Sequence, residues 1–326
     1  MMLNKNEKRE EILRVCKLIR NRAFEVIKKN FENRNRPQNY LEFHSRRHSQ
    51  SMVRRLSVLI NMVNGICPKS VSWKDKNLAF LAASCHDIIQ NWKAVTNKLK
   101  DGRIERVRSK QNEKLSYLYA LDQMNNFKIF STDDKSLVKQ MIYGTRTKLD
   151  SKKKTLFQPE IINNLNNLPL VVILFALADL DRVMDGPAIY KKENRQIFIE
   201  DNLDIKLDLK DLRNIKGVKK QDIINRLIQW PKRQADFVKG RKYYLKKEIG
   251  SLPLKMRKYL LTYFLMKSDE IIDSETKSYQ DYLLAKVNLI DILKDFGYKI
   301  CIRKARIVLI ESIKNEKIST IGRKSV

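Results

Sequence analysis

The chain has 326 residues, 43% of them hydrophobic, which supplies a sizeable core and excludes wholesale disorder. With 9 glycines and 7 prolines among many leucines, isoleucines and lysines, the composition is that of a mostly helical protein. The formal net charge of +30 attracts phosphates on nucleotides, nucleic acid or acidic membranes, although an AT-rich genome also enriches lysine, isoleucine and asparagine without regard to function.

In chain order, the spacing of Ile12, Val15, Cys16, Ile19, Ala23, Val26 and Ile27 predicts an amphipathic helix over 7–31. A polar break containing Pro37 follows, then a helix over 40–64 that carries His44 and His48. After a turn at 68–73, a third helix over 75–90 is nearly all apolar from Leu78 to Ala83 and is expected to be buried. It delivers His86 and Asp87 at its end. The basic stretch 96–109, with Gly102, reads as an exposed loop. Helices over 112–125 and 133–143 precede a charged linker at 148–154. A second buried helix over 168–181 presents Asp179, and its apolar run is too short to span a bilayer. Residues 197–209 alternate apolar and polar, as a short strand or hairpin would. Helical pattern resumes over 220–266. The expected division is a core at 1–268 and a basic helical C-terminal extension at 269–326. Cys16, Cys67, Cys85 and Cys301 show no CxxC spacing, and the N-terminus lacks an apolar signal region. Both observations point to a cytoplasmic protein.

The chain has three histidines, and their arrangement carries most of the functional information. His44 and His48 are four apart, so on a helix both face one cavity. His86 is followed at once by Asp87, and Asp179 closes a distant apolar helix. Imidazole and carboxylate ligands in this order suit Mn, Fe, Zn, Ni or Mg. An ion so held lowers the pKa of bound water and polarises a phosphoryl oxygen. Arg46 and Arg47 flank the histidines and are candidate phosphate contacts. Each piece is weak alone, and the ordered set is far stronger.

These residues resemble the H…HD…D signature of the HD-domain superfamily of metal-dependent phosphohydrolases, with His48, His86, Asp87 and Asp179 matching it one by one. Phe43-His44-Ser45-Arg46-Arg47-His48 is similar to the YHNxxHT-type segment of a bacterial branch, with Ser45 in place of its asparagine. Asn112-Glu113-Lys114-Leu115-Ser116 resembles that branch's NExxS, Ile142 to Thr145 its IxxT, and Ala178-Asp179-Leu180 its ADL. The likeness covers about 40–190, with a weaker echo at Gln234, Phe237, Arg241 and Leu252-Pro253. It implies an all-α HD-domain bundle around one divalent ion (Mn, Mg, Ni, Co, Fe or Zn) held by those four residues. His44 takes the place of the proton-donating histidine of cyclic nucleotide phosphodiesterases. Glu113 becomes a water-orienting carboxylate, and Asn112 a site residue beside the substrate. Ile88 to Trp92 bring none of the further histidines a two-metal centre needs. The expected activity is hydrolysis of a phosphomonoester or phosphodiester of a small molecule, a nucleotide above all. The alternative is a nucleic-acid- or nucleotide-binding protein on the same scaffold.

Overall fold

The computed structural model describes residues 5–32, 41–97, 103–202, 205, 217–284 and 289–296. These residues are mostly helical, with two short antiparallel hairpins. Helix α1 (Lys5–Phe31) buries Ile12, Val15, Cys16, Ile19, Ala23 and Ile27, the apolar stripe of an amphipathic helix. Helix α2 (Arg46–Ile66) buries Met52, Leu56, Leu59, Ile60 and Val63. Helix α3 (Trp73–Cys85) opens at Ser72, whose hydroxyl accepts from the Asp75 amide at 3.0 Å. Its Leu78, Ala79, Leu81, Ala82 and Ala83 are fully buried.

A hairpin follows, with strand β1 (Trp92–Asn97) paired to β2 (Arg103–Arg108). Helices α4 (Asn112–Asn125) and α5 (Thr132–Gly144) come next, the latter opened by a capping box of Ser131 and Asp134. A smaller hairpin pairs β3 (Lys148–Asp150) with β4 (Thr155–Phe157). The short α6 (Pro159–Asn164) leads to α7 (Leu170–Leu180), in which Val171 to Ala178 are all buried between α2, α3 and α5. A 3₁₀ turn (Arg182–Asp185) connects to α8 (Pro187–Asp201). Two long helices, α9 (Gly217–Glu248) and α10 (Leu254–Leu283), pack on each other, and α11 (Leu289–Asp295) ends the described chain.

Several expectations are corrected. The second helix begins at Arg46, so His44 lies before it in the turn capped by Ser45. His44 and His48 meet through that turn, with ring centroids 6.1 Å apart, and not on a helical face. The basic stretch read as a loop is largely the β1–β2 hairpin, and the linker at 148–154 is the β3–β4 hairpin. Residues 197–201 are helical, in the last turns of α8; of the rest of that expected strand, 203–204 and 206–209 lie outside the described residues. Helix α10 runs unbroken across 268–269, and its Ser268, Ile271 and Glu275 are buried. The expected division there therefore falls inside a packed helix. Most of the expected extension, 297–326, lies outside the described residues.

One large core joins α1–α7 to α9 and α10. A smaller one gathers Phe198, Ile205, Ile223, Leu227, Tyr282, Ile292, Leu293 and Phe296.

Candidate metal centre

Helix α3 from Leu78 to Ala83 and helix α7 from Leu170 to Ala178 are unbroken apolar runs because they pass through the core, and each is followed by polar residues near its end. Helix α3 stops at Cys85 with His86 as its C-cap, followed by Asp87. Asp179 is in the last turn of α7, and His48 in the first turn of α2. The four side chains converge. His86 Nε2 lies 3.0 Å from Asp87 Oδ2 and 3.4 Å from Asp179 Oδ1. His48 Nε2 lies 3.3 Å and 3.5 Å from the same two atoms. These are ion-pair separations without hydrogen-bond geometry, and both Nε2 atoms are buried with no hydrogen-bond partner. Buried polar atoms are nearly always paired, so two orphaned imidazole nitrogens beside two carboxylates fit a cation between them. The His48, His86 and Asp87 ligand atoms alone lie within 4.8 Å of one another and could hold a metal ion. The carbonyl ends of α3 and α7 add negative potential there.

The surroundings orient these groups. His86 Nδ1 is 2.9 Å from the Ala83 carbonyl, which only accepts; Nδ1 therefore carries the proton and Nε2 turns to the cluster. Asp87 Oδ1 accepts from Gln90 Nε2 at 2.7 Å, leaving Oδ2 toward the histidines. Burial opposes charge on His86, but Asp87 and Asp179 outweigh it and push the imidazole up to about 10. Burial would raise both carboxyls; the neighbouring histidines instead hold them well below the usual range. Arg55 of α2, itself buried, donates from Nε to the Ala178 carbonyl at 2.8 Å and pairs with Asp185 and Glu193, pinning the end of α7.

A cavity of about 280 Å³ opens beside the cluster, lined among others by Phe43, His44, Glu113, Thr145, Arg108, Arg182 and Asp201. His44 Nδ1 is 2.6 Å from Glu200 Oε1, while Glu200 Oε2 accepts from the Phe43 and His44 amides at 2.6 Å and 2.9 Å. Nε2 is left as the ring's remaining polar atom. Burial lowers the His44 pKa against the pull of Glu200. Arg106 of β2 is also buried and pairs with Glu200, so the first hairpin is fastened to the His44 support. Burial would lift the Glu200 carboxyl, but His44 and Arg106 bring it down to about 2.

Glu113 is where the sequence places it, on the cavity wall in the first turn of α4. Asn112 is buried beneath the segment that follows Asp87. Its Oδ1 accepts from the Asn91 amide at 2.9 Å and its Nδ2 donates to the Asn91 carbonyl at 3.1 Å, so both polar ends brace the segment after Asp87. Ser116 assists by accepting from the Ile89 amide at 3.2 Å. Arg46 and Arg47 line a different pocket with Glu32, Glu42 and Gln50. The arginines that line the cavity beside the cluster are Arg108 and Arg182. Sequence reasoning missed Arg106, Arg108, Arg182 and Glu200. The strand alternation that places Arg106 and Arg108 on one face of β2 was a usable signal; nothing local marked Glu200.

No protein-family model matches the chain, and no curated protein and no solved structure matches it either, so the case for its chemistry rests on the geometry of this centre.

Proposed function

We propose that this protein is a metal-dependent phosphohydrolase acting on a small phosphate ester, a nucleotide in the first instance. The observation that carries the reading is the convergence of His48, His86, Asp87 and Asp179 with two orphaned imidazole nitrogens. A divalent ion in that position supplies charge neutralisation and an activated water. The chain's own residues do the rest. His44, held through Nδ1 by Glu200, presents Nε2 to the cavity, where its imidazolium form would give the Nε2 proton to the leaving oxygen and return to the neutral ring. Glu113 orients the attacking water, and the cavity arginines balance phosphate charge.

The test is metal analysis of purified protein, then phosphate release over a nucleotide panel with Mn, Mg, Ni and Co. The expected result is stoichiometric metal in the wild type, its loss in Asp87→Asn, and its retention without turnover in His44→Ala. A wild-type protein that takes up none of these metals sinks the proposal.

The net charge of +30 favours a second reading, nucleic-acid binding on the same scaffold. It predicts a steep salt dependence of RNA or DNA affinity. Undetectable binding near physiological salt ends it.

A further inference from the structure

Arg182 stands in the 3₁₀ turn just after α7, in the segment that delivers Asp179. It is 7% exposed and lines the metal cavity. The other deeply buried arginines of the bundle have carboxylate partners: Arg55 has Asp185 and Glu193, Arg195 has Glu275, and Arg241 has Asp181 and Glu248. Among the described residues Arg182 has no such ion pair, and its buried Nη1 has no hydrogen-bond partner. Asp185 and Asp181 are engaged by Arg55 and Arg241, and Glu193 and Asp179 attract Arg182 without forming an ion pair with it. What Arg182 touches instead is ring faces, with its guanidinium 4.9 Å from the Phe43 centroid and 5.9 Å from that of Tyr190. The Phe43 ring in turn lies 4.3 Å from the His48 ring, so the guanidinium is one ring away from the ligand cluster.

A buried, unpaired cation is expensive and is retained where an anion completes it. The cavity holds a second guanidinium, Arg108, with Nη2 3.6 Å from Asp87 Oδ1. We infer that Arg182, with Arg108, grips the terminal phosphate of a phosphomonoester dianion. The inference rests on the phosphohydrolase reading above and narrows its substrate class. A monoester phosphoryl group offers three non-bridging oxygens, one for the ion and one for each guanidinium; a diester offers two. Arginine suits the task because its planar fork matches phosphate geometry.

The experiment titrates inorganic phosphate, and dimethyl phosphate as the diester probe, into Mn-loaded protein by calorimetry. Bound metal and the melting temperature of the metal-free protein are measured alongside. Wild type should bind phosphate at least tenfold more tightly than dimethyl phosphate. Arg182→Met should keep its metal and lose tenfold or more in phosphate affinity. It should melt no lower than wild type, because it deletes an uncompensated buried charge while keeping an apolar side chain against Phe43 and Tyr190. Arg182→Lys, which keeps the charge but not the fork, should fall between and serves if the methionine variant does not fold.

Unchanged phosphate affinity in these variants overturns the inference and makes Arg182 a stacking residue. A sharply lower melting temperature with phosphate affinity retained does the same. Equal affinity for the two probes overturns the monoester assignment. Wild-type protein that holds no metal defeats the phosphohydrolase reading alone. Phosphate titrated into that metal-free protein still compares wild type with Arg182→Met, and absence of any binding to wild type refutes the anion site.

Discussion

Arg241 ties helix α9 to Asp181, two residues beyond Asp179. Its side chain is 2% exposed. It donates to Asp181 at 2.8 Å and 2.9 Å, to Glu248 at 3.0 Å and 2.5 Å, and to the Leu156 carbonyl at 3.0 Å. Arg241→Met keeps much of the volume but leaves two buried carboxylates without their cation. Removing one partner of a buried ion pair costs about 3–5 kcal/mol. At roughly 2 °C per kcal/mol for a chain of this size, the melting temperature should fall by roughly 6–10 °C. The loss should depend on pH with a definite sign. Burial already raises the Glu248 carboxyl against the pull of Arg241. Without the guanidinium, the folded-state value of the buried Glu248 carboxyl rises further above its unfolded value. Glu248 then destabilises the fold increasingly as pH climbs above about 4, until its folded-state value is passed. The variant should therefore be closer to wild type at pH 5 than at pH 8. Arg241→Met combined with Asp181→Asn and Glu248→Gln removes the whole charged set and should recover most of the loss. Thermal melts at both pH values decide the matter. A single variant that melts within a degree or two of wild type, or a triple variant no better than the single, refutes the reasoning.

Three further outcomes are expected. The His86 pKa of about 10, against an ordinary 6.5, means that its proton stabilises the metal-free fold fully below pH 6.5 and that this contribution is lost as pH rises through 10. Metal must displace that proton, so affinity should rise about tenfold per pH unit between pH 7 and 9, and calorimetry in buffers of different ionisation enthalpy should read about one proton released per ion; no release contradicts the assignment. Glu113→Gln should cut turnover more than tenfold at nearly constant melting temperature, whereas unchanged turnover with a lower melting temperature makes Glu113 a helix-terminus residue only. At Gly240 a Cβ would meet the Lys153 carbonyl and, at 2.7 Å, the Thr155 side chain, so Gly240→Ala should cost about 1–3 kcal/mol by urea denaturation; a neutral substitution shows that α9 and the second hairpin are not pressed together.

What was legible in the sequence is what local pattern encodes. Unbroken apolar runs marked α3 and α7 as core helices, and the polar residues ending them stood out as His86, Asp87 and Asp179. The periodicity of α1 and the bounds of α4 were equally readable. Contacts between distant segments were not. Glu200 meets His44 across most of the N-terminal half of the chain, and an isolated glutamate at the end of a mixed helix carries no sign of its partner. Helix α2 was extended too early because Tyr40 to Ser45 is compatible with helical periodicity, whereas the structure uses Ser45 as the cap. The first hairpin was hidden by its charge, since Lys93, Arg106 and Arg108 look solvated until strand alternation separates the Arg106 face from the exposed one.

Helix α8 acts as a shared beam with different loads on its faces. Glu200 supports His44 on one side, with Ile197 and Asp201 on the cavity wall. Phe198 is clamped on another, its ring 4.7 Å from Phe296 and 5.1 Å from Trp230, while Arg195 reaches Glu275 and Asp295. The residues that set the height and tilt of the beam thus come from α9, α10 and the segment around α11, far along the chain from every histidine. The late helices are foundations of the cavity: Phe198, packed on Phe296, stands two residues before Glu200, the support of His44.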